Sequence, residues 1–125
     1  MKRDSEALKK RTKSFALRIL RMCRSLPRTN EARVLASQLL RSGTSIGANY
    51  RSACRARSRA EFGAKLGIVL EEADETVFWL ELIQESEFFP KDRLADLLQE
   101  ANELVSIFVS SLKTAKQLCN LTSNL

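Results

Sequence analysis

Apolar residues recur at steps of three and four through most of the chain, which is the spacing of amphipathic helices. The chain has two prolines, Pro27 and Pro90, and both fall between periodic segments. With a third break near Arg57-Ser58, they divide the chain into four segments of roughly 20–30 residues. Long helices with short joints pack as antiparallel neighbours. The pattern therefore predicts an all-α, antiparallel up-down-up-down four-helix bundle.

The length of 125 residues fits one domain. We expect this domain to cover residues 1–125, with frayed ends at about 1–5 and 120–125. Hydrophobic residues make up 44% and charged residues 29%, the balance of a soluble globular protein. No signal-peptide region follows the charged N-terminus, and no apolar run approaches the ~18 residues that cross a membrane. These features predict a cytoplasmic protein without a membrane partner.

The predicted second helix, about residues 30–57, carries polar side chains beside its apolar core positions. They are Gln38, Ser42, Ser45 and Asn49, with Arg41 at the margin. Buried polar groups need partners, so we expect a polar core network with Glu72, Glu75 or Thr76 on the third helix. Such a network either fixes the register of the helices or lines a binding pocket.

Two more faces lie outside the predicted core stripes. The face on the second helix contains Leu40, Gly43, Gly47 and Tyr50, and the face on the third helix contains Ile68, Trp79, Leu82 and Ile83. A helix in a monomeric bundle needs one apolar stripe, so the extra faces predict an oligomer interface. Two different faces favour a closed ring, because a heterologous contact closes only by rotation.

Charge divides the chain into a basic half and an acidic half. Residues 1–60 hold 16 Lys/Arg and 3 Asp/Glu, and residues 61–125 hold 5 and 12. This polarity predicts a basic surface that binds RNA or DNA phosphates. Its candidate residues are Arg51, Arg55, Arg57 and Arg59, with Lys10, Lys13, Arg21 and Arg24 on the first helix. In the alternative interpretation, the two halves attract each other within the fold.

Candidate enzyme chemistry is scarce in this sequence. The chain lacks histidine, which is the commonest general base and a frequent metal ligand. It also lacks phosphate-loop and dinucleotide-binding glycine motifs. The cysteines Cys23, Cys54 and Cys119 have no metal-binding spacing and indicate reduced thiols. We therefore expect no enzyme activity, no catalytic residues, no cofactor and no metal.

Three segments resemble the 23S rRNA-intervening-sequence proteins. They are Leu26-Pro27, residues 39–49 (LLRSGTSIGAN) and residues 60–80 (AEFGAKLGIVLEEADETVFWL). The family pattern Gln-x-x-Arg-Ser/Ala-x-x-Ser-Ile-x-x-Asn is matched by Gln38, Arg41, Ser42, Ser45, Ile46 and Asn49, and Phe62, Leu66 and Glu72 match on the third helix. Many members continue with Ile-Ala-Glu-Gly, where this chain has Tyr50-Arg51-Ser52-Ala53, so an acidic segment is basic here.

The resemblance implies an antiparallel four-helix bundle that assembles as a homopentamer. Similar proteins include accessory proteins of diversity-generating retroelements, which bind a reverse transcriptase and nucleic acid. The leading hypothesis is a non-enzymatic, oligomeric accessory protein that binds RNA or DNA. Its rival is a protein-binding scaffold ring without a nucleic-acid role.

Overall fold

The computed structural model describes residues 2–123, which form four α-helices and one short 3₁₀ helix without a strand. The α-helices are α1 (Lys2–Arg24), α2 (Asn30–Cys54), α3 (Arg59–Glu85) and α4 (Ala95–Ser123), and the 3₁₀ helix is Lys91–Leu94. Extensive contacts join α1 to α2, α2 to α3 and α3 to α4, whereas α1 and α4 touch little. The predicted all-helical, bundle-like fold is confirmed.

Side-chain caps begin α2 and α3. Thr29 Oγ1 accepts a hydrogen bond from the Ala32 amide at 3.2 Å. Ser58 Oγ accepts from the Glu61 amide at 3.1 Å, and the Glu61 carboxylate accepts from the Arg57 amide at 2.7 Å. These bonds satisfy amide groups that the first helical turn leaves without partners. The capping residues therefore set both helix starts.

The two outer helices reach further than the expected frayed ends. The first helix already begins at Lys2, and the last continues to Ser123. Met1, Asn124 and Leu125, which belong to the predicted frayed ends, lie outside the described residues. Over residues 2–123, none of the helices combines the length and the apolar character that crossing a membrane requires.

The buried core follows the apolar stripes of all four helices. Its largest fully buried side chains include Phe15, Ile19, Leu39, Ile46, Leu66, Val69, Leu80, Leu104 and Phe108. Their packing removes a continuous apolar surface from water, which is the dominant stabilising effect in folding. The helical periodicity in the sequence therefore identifies the core correctly.

Two glycines let α1 approach α2 closely. A Cβ atom added to Gly43 would lie 2.9 Å from both γ carbons of Ile19. A Cβ atom added to Gly47 would lie 3.2 Å from Thr12 Oγ1. Gly43 and Gly47, four residues apart, therefore allow a neighbouring helix to pack closely, and that helix is α1 of the same chain.

This packing corrects part of the predicted oligomer interface. Gly43 is buried under α1, and Tyr50 is 5% exposed with its ring 5.5 Å from the Phe108 ring. Ile83 on α3 is fully buried. The prediction was wrong for Gly43, Tyr50 and Ile83, because α2 and α3 each pack against two helices and bury more than one stripe. Gly47 is half-buried, and its place in an interface stays a prediction. Burial also raises the pKa of the Tyr50 phenol.

Replacing Gly43 by alanine is expected to destabilise the protein, because the new methyl group overlaps a fully buried side chain. Overpacking of this kind costs about 1–3 kcal/mol. The matched control is Gly67→Ala on α3, where a Cβ has no neighbour within 4 Å. The control should stabilise the protein by about 0.5–1 kcal/mol through helix propensity. Urea unfolding measures both, and equal effects at the two glycines would contradict the close approach.

Candidate nucleic-acid interface

Part of the basic charge is neutralised inside the protomer. The Arg11 guanidinium donates two hydrogen bonds to the Glu100 carboxylate, at 2.8 and 2.7 Å, and lies 3.7 Å from Glu103. The hydrogen bond from Arg11 lowers the pKa of Glu100 more than burial raises it. This bidentate pair ties α1 to α4 along the side where the two helices otherwise touch little.

A second set of contacts joins α2 to α3. The Arg41 guanidinium lies 3.1 Å from the Glu72 carboxylate and also pairs with Glu75. The hydrogen bond from Arg41 is the main cause that lowers the pKa of Glu75, and Trp79 Nε1 donates to the same carboxylate at 3.2 Å. Arg41, Glu72 and Glu75 therefore form a charged network at the outer edge of the α2–α3 contact.

The predicted polar core network is smaller than the sequence suggests. Ser42 is fully buried, and its hydroxyl lies 3.0 Å from the buried Thr76 hydroxyl. Ser45 and Asn49 are half-buried, and each donates to a carbonyl of α2 itself. Gln38 is also half-buried. The buried bond between α2 and α3 is therefore the Ser42–Thr76 contact, with Arg41 and Glu72 outside it.

The outer face of α1 and the adjoining part of α2 carry most of the remaining cations. Among the described residues, none of these cations pairs with a carboxylate within 4.0 Å: Lys10, Lys13, Arg21, Arg24, Arg28, Arg33, Arg51 and Arg55. All eight are exposed. We call them the basic face. Six of the eight were predicted from the sequence to bind nucleic acid, and Arg28 and Arg33 were missed.

A shallow groove at one end of the basic face brings Lys13 and Arg51 together. The groove has a volume of about 190 Å³ between α1 and α2, and small residues form its floor: Ala16, Thr44, Gly47 and Ala48. Lys9 also lines it, but this side chain pairs with Glu6 at 3.0 Å. The close approach of the two helices therefore places two uncommitted cations beside an accessible floor.

The predicted cluster of four arginines is divided by the turn between α2 and α3. Arg51 and Arg55 belong to the basic face. Arg57 lies 3.8 Å from the Glu61 carboxylate, so a carboxylate of its own chain partly neutralises it. Arg59 lines a different cavity, of about 390 Å³, with Asp4 and residues of α4. We therefore do not count Arg57 and Arg59 as part of the basic face, and their role in nucleic-acid binding stays a prediction.

Two arginine-lined clefts flank the last turns of α1. The cleft on the α2 side contains Arg24, Arg28 and Arg33 and has a volume of about 400 Å³. The cleft on the α4 side, about 340 Å³, contains Arg18 and Arg21 of α1 with Arg93 from the 3₁₀ helix. Sequence reasoning missed Arg93 because it lies in the acidic half of the chain and reaches α1 only in the folded protein.

The outer face of α3 exposes a row of apolar side chains among carboxylates. Phe78 is 54% exposed, Ile68 45% and Leu82 39%, while Trp79 is half-buried with its ring 5.0 Å from Phe78. We call Ile68, Phe78, Trp79 and Leu82 the α3 patch. It retains three of the predicted interface residues and adds Phe78. Leu40 on α2 is half-buried and lies one turn before Gly43, on the face of α2 that meets α1.

Comparisons with known proteins agree with the fold. A family model described as 23S rRNA-intervening sequence protein matches residues 4–110. The chain is similar to a solved structure of a protein with unknown function from the S23 ribosomal protein family of Bacteroides thetaiotaomicron, at 39% sequence identity and a TM-score of 0.78. That likeness covers 87% of this chain and 97% of the other. No curated protein matches the chain.

The Ser42–Thr76 contact predicts non-additive mutational effects. Ser42→Ala and Thr76→Val should each destabilise the protein by about 1 kcal/mol, since each leaves a buried hydroxyl with one partner fewer. The double variant should lose less stability than the sum of the two single losses, because it removes both hydroxyls together. Asn49→Ala removes a hydrogen bond within α2 only, so it should destabilise the protein less than either single variant. Additive losses in thermal unfolding would show that the two hydroxyls are not coupled.

Proposed function

Because the chain belongs to the 23S rRNA-intervening sequence protein family, we propose that it is a non-enzymatic, oligomeric accessory protein that binds RNA or DNA. The observation that carries the proposal is the basic face, whose cations are exposed and uncommitted. In contrast, Arg11, Arg41 and Arg57 are neutralised by carboxylates of the same chain. The pKa of the Glu6 carboxyl is lowered mainly by its hydrogen bond from Lys9 and further by the charges of Lys10 and Arg51. One carboxylate leaves most of the basic face without a counter-charge, which a polyanion would supply.

Binding through this face is expected to tolerate sequence variation. Lysine and arginine side chains on a convex helical surface contact phosphates, and phosphate contacts carry no direct base information. Their strength falls steeply with salt because each neutralised phosphate releases condensed counterions. We therefore propose a general RNA- or DNA-binding role, in the cytoplasm and without a cofactor.

For the bundle, we propose the up-down-up-down antiparallel arrangement. Two contacts between α2 and α3 support it. Ser42 meets Thr76, and further along α2 the Ser52 hydroxyl accepts a hydrogen bond from Lys65 at 2.9 Å. Residue numbers thus rise along one helix as they fall along its neighbour, which is the relation that short joints favour.

We also propose that the chain assembles as a homopentameric ring, five being the number that the family resemblance implies. The α3 patch is the contact that one subunit offers, and its surrounding carboxylates include Glu71, Asp74 and Glu81. The complementary surface on the next subunit is the middle of α1, where Leu17 is 43% exposed among cations. Opposite charges would guide the two different surfaces together. This contact leaves the cations at both ends of the basic face for nucleic acid.

The α3 patch also favours a second candidate function. An exposed apolar row rimmed by charge is typical of a protein-binding site. A partner such as a reverse transcriptase or another protein would then occupy the surface, and the ring would act as a scaffold without nucleic acid. Nucleic-acid binding by the purified chain separates this candidate from the leading proposal.

Reversing two cations of the basic face should weaken nucleic-acid binding. Arg51→Glu with Arg55→Glu removes two phosphate contacts, so the slope of log affinity against log salt should flatten by about 1.4 for a single strand. The loss should be similar for oligonucleotides of different sequence. Fluorescence anisotropy over a salt series measures both quantities.

The control for this experiment is Lys113→Glu with Lys116→Glu, two exposed lysines on α4. It makes the same change in net charge away from the basic face. The affinity of the control should stay near that of the wild-type chain. Equal losses in both double variants would mean that net charge alone drives binding, and no binding by the wild type at low salt would favour the scaffold role.

Placing a charge in the α3 patch should dissociate the oligomer. Phe78→Asp puts a carboxylate among side chains that the proposed contact buries, whereas Val109→Asp does so at a comparably exposed position on α4. Light scattering should report a smaller species for the first variant only, with unchanged helicity by circular dichroism. A monomeric wild type at micromolar concentration would refute the ring.

A further inference from the structure

We infer that the cleft between the end of α1 and the start of α4 is a binding site for a phosphate group. The cleft is lined on one side by Arg18, Arg21 and Ser25 and on the other by Arg93 and Asp96. The inference rests on the proposed function for its physiological ligand, a phosphate of RNA or DNA. The chemistry is that of any phosphate, so the experiment below includes inorganic phosphate as a separate arm.

Three arginines line the cleft from two different elements. Arg18 and Arg21 are one turn apart on α1, so both side chains lie on the same side of that helix. Arg93 comes from the 3₁₀ helix opposite, with its guanidinium carbon 4.5 Å from the centre of the Phe89 ring. This cation–π contact holds the Arg93 side chain in place before any ligand arrives. Guanidinium forks on both walls suit the several oxygens of one phosphate.

Within the described part of the chain, the positive charge of the cleft is only partly compensated. Arg18, Arg21 and Arg93 have no carboxylate within ion-pair distance there, whereas Arg11, two turns before Arg18, is held by Glu100. Arg18 lowers the pKa of Glu100 only as a weaker, longer-range influence than Arg11. Asp96 is the carboxylate that lines the cleft, and it leaves an excess of two positive charges for an anion.

The apolar residues that line the cleft are Met22, Leu94 and Leu97, and all three are buried in the core. Ser25 donates its hydroxyl proton to the Met22 carbonyl at 2.8 Å, so the arginines remain the donors for a phosphate. The site is therefore a small cleft lined by three arginines and three apolar side chains.

The test is a titration of the purified full chain, followed by NMR at the arginine Nε–H groups. Inorganic phosphate is added in one arm and a uridine oligonucleotide in the other. Inorganic phosphate should give saturable shifts confined to Arg18, Arg21 and Arg93, whereas the oligonucleotide should shift these three together with the arginines of the basic face. Arg18→Gln with Arg93→Gln should reduce the affinity for phosphate about tenfold, the loss of roughly one charge-assisted hydrogen bond. Lys113→Gln with Lys116→Gln, of equal charge loss, should not.

Arg93→Lys provides a second variant that keeps the charge and loses the planar fork. It should bind phosphate more weakly than the wild type and unfold at the same temperature. Uniform shifts over all surface arginines with inorganic phosphate, or unchanged phosphate affinity in both cleft variants, would overturn the site. Phosphate bound in the cleft without oligonucleotide binding would keep the site and reject the proposed function. Oligonucleotide binding that is equally strong in the wild type and the cleft variants would keep the proposed function and reject the cleft as its phosphate site.

Discussion

The close contact between α1 and α2 at Gly43 and Gly47 determines what α1 presents to the outside. Without β carbons at these positions, the two helices approach until Ile19 and Thr12 rest on the α2 backbone. A narrow apolar stripe on α1 is then enough to hold it against the core, because α2 lies close along one side of that stripe. The rest of its circumference stays in water, and there the sequence places lysine and arginine. A larger residue at Gly43 would separate the helices and alter the spacing of the cations on both.

Electrostatics within the protomer then sorts these cations into two groups. Carboxylates of α3 and α4 pair with Arg41 and Arg11, which each face a neighbouring helix. Attraction within the fold neutralises only part of the positive charge, because the ion pairs between the two halves involve few of the cations. The interpretation that the two halves attract each other therefore holds for these residues, and nucleic-acid binding by the remaining cations is our proposal. What remains uncompensated is concentrated on the outside of α1, on α2 beside it and in the clefts at the end of α1.

Local features of the sequence were enough to predict the helices, but not which surfaces stay exposed. Prolines and the capping residues Thr29 and Ser58 act within a turn or two, so helix limits can be read from neighbouring residues. The burial of Tyr50 and Ile83 depends on how many neighbours flank each helix, which a single-helix periodicity does not contain. For the same reason Arg93 could not be joined to Arg18, because that relation arises only when distant segments fold together. The ion pair between Arg57 and Glu61 spans a single helical turn, so sequence spacing could have indicated it.

Photo-crosslinking of a bound oligonucleotide tests most directly whether the basic face is the nucleic-acid interface. A single strand that carries photoreactive uridines would be irradiated with the purified chain at low salt, and the crosslinked peptides would be identified by mass spectrometry. Crosslinks should fall in α1, in the turn to α2 and near Arg51, and should disappear as salt rises. Crosslinks concentrated on the outer face of α3, or none at low salt, would contradict a nucleic-acid role for the basic face.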